Sequence, residues 1–170
     1  DAALAFPGTP LAHPILPDVD TATLPVTDLV NSAIHTGSGT PQVEHILTGS
    51  GVNTLDLRPS LTASQVQVET VAASHGYDLR IGAILFADVD VVIGSNDSGD
   101  GLHGMDVPSL WVLNGTSSQY SLAAPSPVLA FQGFELLQGG SGTDGFTIVG
   151  AQAADLNGGD GDDSFTFGEG

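Results

Sequence analysis

From Val43 onward the chain repeats one arrangement of apolar and polar positions. An apolar residue and an acid (Glu44, Asp90 or Glu135) precede an apolar pair, then a Gly/Ser/Asn/Asp turn, then another apolar residue. The phrase reads VEHILTGSGVNTLDL at 43, VDVVIGSNDSGDGLHG at 89 and FELLQGGSGTDGFTIVG at 134, with starts 46 and 45 residues apart. Self-similarity at a fixed spacing signals units that cannot bury an apolar face alone and stack on their neighbours. Between the phrases lie short runs rich in β-branched and aromatic residues and bounded by Gly, Asn, Ser or Pro: QVQVETV (65–71), IGAILF (81–86), SLWVLN (109–114), SPVLAF (126–131), FTIV (146–149) and SFTF (164–167). These read as strands. LWVLNGTSSQYSL reads as a hairpin with NGTS at its tip. Only Asp28 to Ile34 and Ser60 to Gln65 are capable of a helical turn.

The expected fold class is therefore all-β. More finely, the pattern predicts a parallel β-solenoid, β-roll or β-helix-like, built from repeats of about 45 residues. Its units lie near 43–88, 89–133 and 134–170, within a repeat region 41–170. Five of the ten prolines fall in the first 25 residues, so residues 1–40 are set apart as a Pro-rich extended segment or cap.

Charge narrows the function. Twenty Asp and Glu oppose two arginines, Arg58 and Arg80, there is no lysine, and the net charge is -18. Nucleic acid is excluded as a partner, because neutralising phosphates needs clustered Lys and Arg. Membrane insertion is not expected either: no apolar run approaches the ~18 residues that span a bilayer. Such a polyanion repels itself and needs screening or bound cations. Sixteen of the acids are Asp, and short carboxylates beside Gly suit loops for hard cations, which points to calcium. Without cysteine, neither a disulfide nor a thiolate metal site is available. The sequence opens on DAALAFPGTP, without the basic region of a secretory signal, which reads as a mature product or an excised fragment; the ending in FGEG, just past a repeat block, favours a fragment of something longer.

Two blocks carry the sharpest chemistry. GGSGTDGFT (139–147) and GGDGDDSFT (158–166) each match G-G-x-G-x-D-x-U-x, where U is a large apolar residue. Glycines allow a tight loop that exposes carbonyl oxygens, the Asp adds a carboxylate, and the apolar residue turns into the core as a strand begins. The candidate calcium ligands are Gly140, Gly142 and Asp144 in the first block and Gly159, Asp160, Gly161, Asp162 and Asp163 in the second. Calcium takes six to eight oxygens, more than one such loop supplies, so two loops must share an ion. Ser95 to His103 keeps Asp100 and Leu102 in place but loses the glycines; Asp97 and Asp100 are further candidates.

The matching nonapeptides, with LWVLNGTSSQYSL and FQGFELLQ ahead of them, resemble the repeats of large bacterial surface proteins, the RTX-like and haemagglutinin-like adhesins. The resemblance covers roughly Thr40 to Gly170 and is most specific in the last sixty residues. It implies a coil of eighteen residues, whereas the two blocks lie nineteen apart. It also implies an extracellular, non-enzymatic adhesive, biofilm-matrix or filament module that self-associates into fibres or stacks on further repeats, with a possible cell-surface or glycan ligand. The alternatives are an RTX-type accessory or export module of a secreted enzyme, and a carbohydrate-binding β-domain using Trp111, Tyr120, Phe131 and Phe134. The five histidines have no metal-binding spacing and read as turn or solvated residues. No nucleophile elbow or phosphate loop occurs, so no catalytic residue is expected.

Overall fold

The computed structural model describes residues 23–25, 45–47, 51–72, 75–115, 117–123, 125–150 and 153–168. Within them the chain is all-β, with two mixed sheets and no helix. The larger sheet runs, in spatial order, β1 (Thr23–Pro25), β3 (Thr54–Asp56), β7 (Val91–Ile93), β11 (Leu129–Gln132), β10 (Ser118–Leu122), β9 (Ser109–Leu113), β13 (Gly145–Ile148) and β15 (Ser164–Phe167). The second runs β14 (Asp155–Asn157), β12 (Leu136–Gln138), β8 (Gly101–His103), β4 (Gln65–Val71), β5 (Tyr77–Ile81), β6 (Ile84–Val89) and β2 (His45–Leu47). The possible helical turn at Asp28 to Ile34 lies outside the described residues. At Ser60 the hydroxyl bonds the backbone of Thr62 instead, and Gln65 already begins β4.

Most neighbouring strands pair in parallel, and two antiparallel meanders interrupt them: β4–β5–β6 in one sheet and β9–β10–β11 in the other. The second meander is the hairpin expected around NGTS. The first is a correction, because IGAILF is not one strand. Gly82 has φ 58 and turns the chain between Ile81 and Ile84, a conformation glycine adopts without steric cost.

The recurring phrase does not mark the layer spacing. Each copy spans a turn between the sheets; the equivalent first strands β2, β7 and β12 lie in alternate sheets, and the second strand of one copy pairs with the first of the next, β3 with β7 and β8 with β12. Pairing follows turn geometry. Leu136 is in register with Gly101 on one side and Asp155 on the other, and Gly145 with Leu110 and Ser164. The meanders take up the chain between layers, so a constant sequence period need not produce a constant structural one.

The core lies between the sheets. Alternation in β9 (buried, exposed, buried, exposed, buried) sends Ser109, Trp111 and Leu113 inward. Trp111, Tyr77, Tyr120 and Phe146 are its largest fully buried side chains. Trp111 meets Tyr120 and Phe131 edge-on, with ring centroids 4.7 and 5.8 Å apart, and stacks on Phe146 at 5.3 Å. Such pairs add about 0.5–1.5 kcal/mol each beyond area burial. Tyr77, from the second sheet, donates its hydroxyl to Pro127 O at 2.9 Å and so ties the sheets together. Burial pushes the Tyr120 hydroxyl up to about 12; it accepts from the Met105 amide.

Candidate metal and stacking site

Three turns lie one above another along the same edge of the molecule. They join β8 to β9, β12 to β13 and β14 to β15. The offset between the last two is nineteen residues at both ends, from Leu136 opposite Asp155 to Ile148 opposite Phe167. The two Gly/Asp blocks therefore sit rung on rung, and the residue in excess of eighteen makes no bulge within them. Glycine is required for two different reasons. A Cβ on Gly140 would run into the Met105 carbonyl of the turn below, while Gly161 has φ 113 and lies against the Gly142 carbonyl. The Asp160 amide donates to Gly140 O at 3.1 Å, and the Gly139 amide to Asn157 O at 2.8 Å.

The geometry these turns share is a carboxylate facing the backbone of the preceding layer. Asp144 is fully buried, and its Oδ1 accepts from the Ser109 amide at 2.9 Å and the Ser109 hydroxyl at 2.6 Å. Its Oδ2 accepts from the Gly140 amide at 2.9 Å. One layer further on, Asp163 Oδ1 accepts from the Asp144 amide at 2.9 Å. The opposite edge repeats the arrangement. Asp100, also fully buried, accepts from the Ser64 amide at 2.5 Å and the Ser95 hydroxyl at 2.8 Å. Glu135 Oε2 then accepts from the Gly99 and Asp100 amides, both at 3.1 Å. Back on the edge of Asp144, in the turn from β6 to β7, Asp90 Oδ2 accepts from the Asn53 amide at 2.8 Å. In every case the acid directly precedes a strand, and its side chain closes a donor one layer back that the parallel ladder leaves over. Charge-assisted bonds of this kind are roughly twice as strong as neutral ones.

Of the sequence candidates, the structure brings Gly140, Gly142, Asp144, Gly159, Asp160, Gly161, Asp162 and Asp163 into two adjacent turns. Asp97 and Asp100 lie apart from them, in the turn between β7 and β8. Asp97 is exposed and accepts from the neighbouring Ser98 amide. Sequence reasoning missed Glu135, Asp90 and Ser109 as partners in the ladder, although it recorded both acids as a recurring element.

The donor set fits calcium unevenly. Three protein donors already occupy the carboxylate of Asp144, and two that of Asp100, so neither is free to act as a principal ligand. Asp160 and Asp162 are exposed, Asp163 is partly exposed, and the stacked glycine turns supply carbonyl oxygens beside them; these are the hard oxygen donors calcium takes. Among the described residues, no three His, Asp or Glu side chains converge as a ready-made metal cluster.

The positive charge of the chain is spent locally. Arg58 pairs with Asp56 at 2.5 Å and holds that carboxyl below the usual range, and Arg80 pairs with Glu69 at 2.6 Å. At a turn, the His75 amide donates to Asp88 Oδ1 at 3.0 Å. Trp111, Tyr120, Phe131 and Phe134 are at most 2% exposed and form core, so they make no aromatic platform for a sugar. Polar surface is offered instead by a groove of about 750 Å³ across the second sheet, lined by Gln67, His103, Gln138 and Asn157 in one register row. Comparison with protein-family models, with curated proteins and with solved structures returns no match for this chain.

Proposed function

We propose that this chain is an extracellular, non-enzymatic structural module of a large bacterial surface, matrix or filament protein. In this reading it is a parallel β-solenoid interrupted by two meanders, and it self-associates or stacks on further repeats through the open ends of its sheets. The observation that supports the reading is the in-register stacking of Gly/Asp turns, each with a carboxylate closing the layer before it. Such a scaffold uses its polar side chains to hold layers together. The groove with its amide row is where a cell-surface or glycan ligand would find hydrogen-bonding partners.

Calcium enters at the outer turn. Asp160, Asp162 and Asp163, with carbonyls of the glycine turns, would hold it, and its charge would relieve the repulsion among twenty acids. The inner turns are closed by Asp100 and Asp144 without it. Calcium is therefore expected to stabilise a chain that is already folded, by the mass action of a ligand that binds only the native state. At a hundredfold excess over Kd this is worth about 2.7 kcal/mol. Calorimetric titration of chelator-treated protein should show binding and a raised Tm, both lost in Asp160→Asn/Asp162→Asn. No heat and no change in Tm at millimolar calcium would remove the metal from this proposal.

A further inference from the structure

Among the described residues, Asp88 is the one residue other than glycine with a positive φ, 63°. That left-handed conformation is costly for a side chain with a Cβ, and it persists only where the surroundings hold it. It falls where β5 and β6 lose their regular register. The Asp88 amide donates to Asp78 Oδ1 at 3.0 Å, its carbonyl accepts from Asn53 Nδ2 at 2.8 Å, and its Oδ1 accepts from the His75 amide at 3.0 Å. One strained residue thus ties together β5, the segment leading into β3, and the turn between β4 and β5.

The His75 ring completes this junction. The Gly51 amide donates to its Nε2 at 3.3 Å, so that nitrogen carries no hydrogen. The ring's single proton is therefore on Nδ1, which faces Asp90 Oδ1 at 3.2 Å and Asp88 Oδ1 at 3.4 Å. Asp90 uses its other oxygen to hold the Asn53 amide. Among the described residues, the charged groups at the junction are Asp88 of β6, Asp90 between β6 and β7, and Asp78 of β5 behind them; residues 51–53 bring none.

We infer that His75 is a pH-operated latch on the segment that enters β3. The neutral ring bridges two layers, accepting from Gly51 while donating to the acids. A second proton goes on Nε2, because Nδ1 already has one, and sets an N–H against the Gly51 N–H. Two donors then face each other, and one side must yield. The ring stays, because its new positive charge strengthens the bonds to two carboxylates. Gly51 is exposed, so water takes its amide and the segment is released. The ring itself is 33% exposed, which gives solvent protons access to it. Histidine is the side chain whose charge ordinarily changes between about pH 5 and pH 8, so neutral solution closes the latch and acid opens it. The inference depends neither on calcium nor on self-association.

NMR of the full chain in chelator, from about pH 8 to about pH 5, tests this through the ring nitrogens of His75 and the Gly51 amide. At the upper end the ring proton should be on Nδ1. As the ring takes its second proton, the Gly51 amide shift should move with the same midpoint, and its exchange protection, corrected for intrinsic pH dependence, should fall at least about twofold, the low end for one neutral hydrogen bond. His75→Gln should abolish this transition at Gly51 while leaving the circular dichroism unchanged. The ring measurement on the unaltered chain stands whether or not the variant folds. A proton on Nε2 at the upper pH, a ring that keeps one charge state throughout, or a Gly51 amide that ignores the ring's titration would overturn the latch. So would a Gly51 transition that survives in folded His75→Gln.

Discussion

Asp144→Ala will lower the unfolding free energy by about 3–5 kcal/mol, read from urea denaturation midpoints at constant m. The carboxylate is fully buried and is the common acceptor for the Ser109 amide, the Ser109 hydroxyl and the Gly140 amide. Alanine leaves the two buried Ser109 donors, and the part-buried Gly140 amide, without their acceptor, and each buried donor without a partner costs about 1–3 kcal/mol. The hydroxyl can rotate away, which keeps the total below a simple sum. Asp144→Asn retains one acceptor oxygen and should cost less than the alanine variant. Asp162→Ala, measured in chelator, is the control: the same residue type in the neighbouring turn is exposed, and its loss should stay within about 0.5 kcal/mol. A small effect at Asp144 would mean that the turn relaxes or that water replaces the side chain.

The second large effect is expected at Trp111. Trp111→Ala should destabilise by about 3–5 kcal/mol, the usual cost of emptying a large aromatic site. The indole touches Tyr120, Phe131 and Phe146 and donates Nε1–H to the Ser109 hydroxyl at 2.9 Å. That hydroxyl in turn donates to Asp144. Core and turn are therefore joined through Ser109, and the two sites will not behave independently. A double-mutant cycle between Trp111→Phe and Asp144→Asn should give a coupling of at least about 0.5 kcal/mol, measured by the same denaturation.

Much of this arrangement was legible in the sequence, for identifiable reasons. Short runs rich in β-branched and aromatic residues, bounded by turn-forming residues, located Gln65–Val71 and Ser109–Leu113, because such side chains suit a pleated, half-buried surface. The Gly/Asp blocks announced stacked turns, since few residue types survive where a Cβ would strike the next layer's carbonyl, as at Gly140 and Gly161. The hairpin at Gly82 was hidden inside an apolar run whose single glycine carries the turn. The layer spacing was hidden too. The phrase around Glu44, Asp90 and Glu135 repeats with the chain, yet its equivalent strands β2, β7 and β12 fall in alternate sheets.

The role of Asp144 was the hardest to read. A calcium ligand and a backbone acceptor ask the same thing of a sequence: an oxygen at the end of a glycine turn. What separates them is the residue on the layer below, Ser109, thirty-five positions earlier in the chain. No local pattern connects the two. The charge count raised the need for neutralisation, and the structure meets part of it with oriented amides.

Turn carboxylates close one layer onto the next through backbone amides, before any metal is bound. Hydrogen exchange on the chelator-treated protein, resolved to single amides by NMR, tests it directly. The Ser64, Ser109, Gly140 and Asp144 amides should exchange as slowly as their neighbours in β9 and β13, and those of Ser109 and Gly140 should accelerate in Asp144→Ala. Exchange at these four amides as fast as in the exposed turn around Asp162, regained only when calcium is added, would contradict the account.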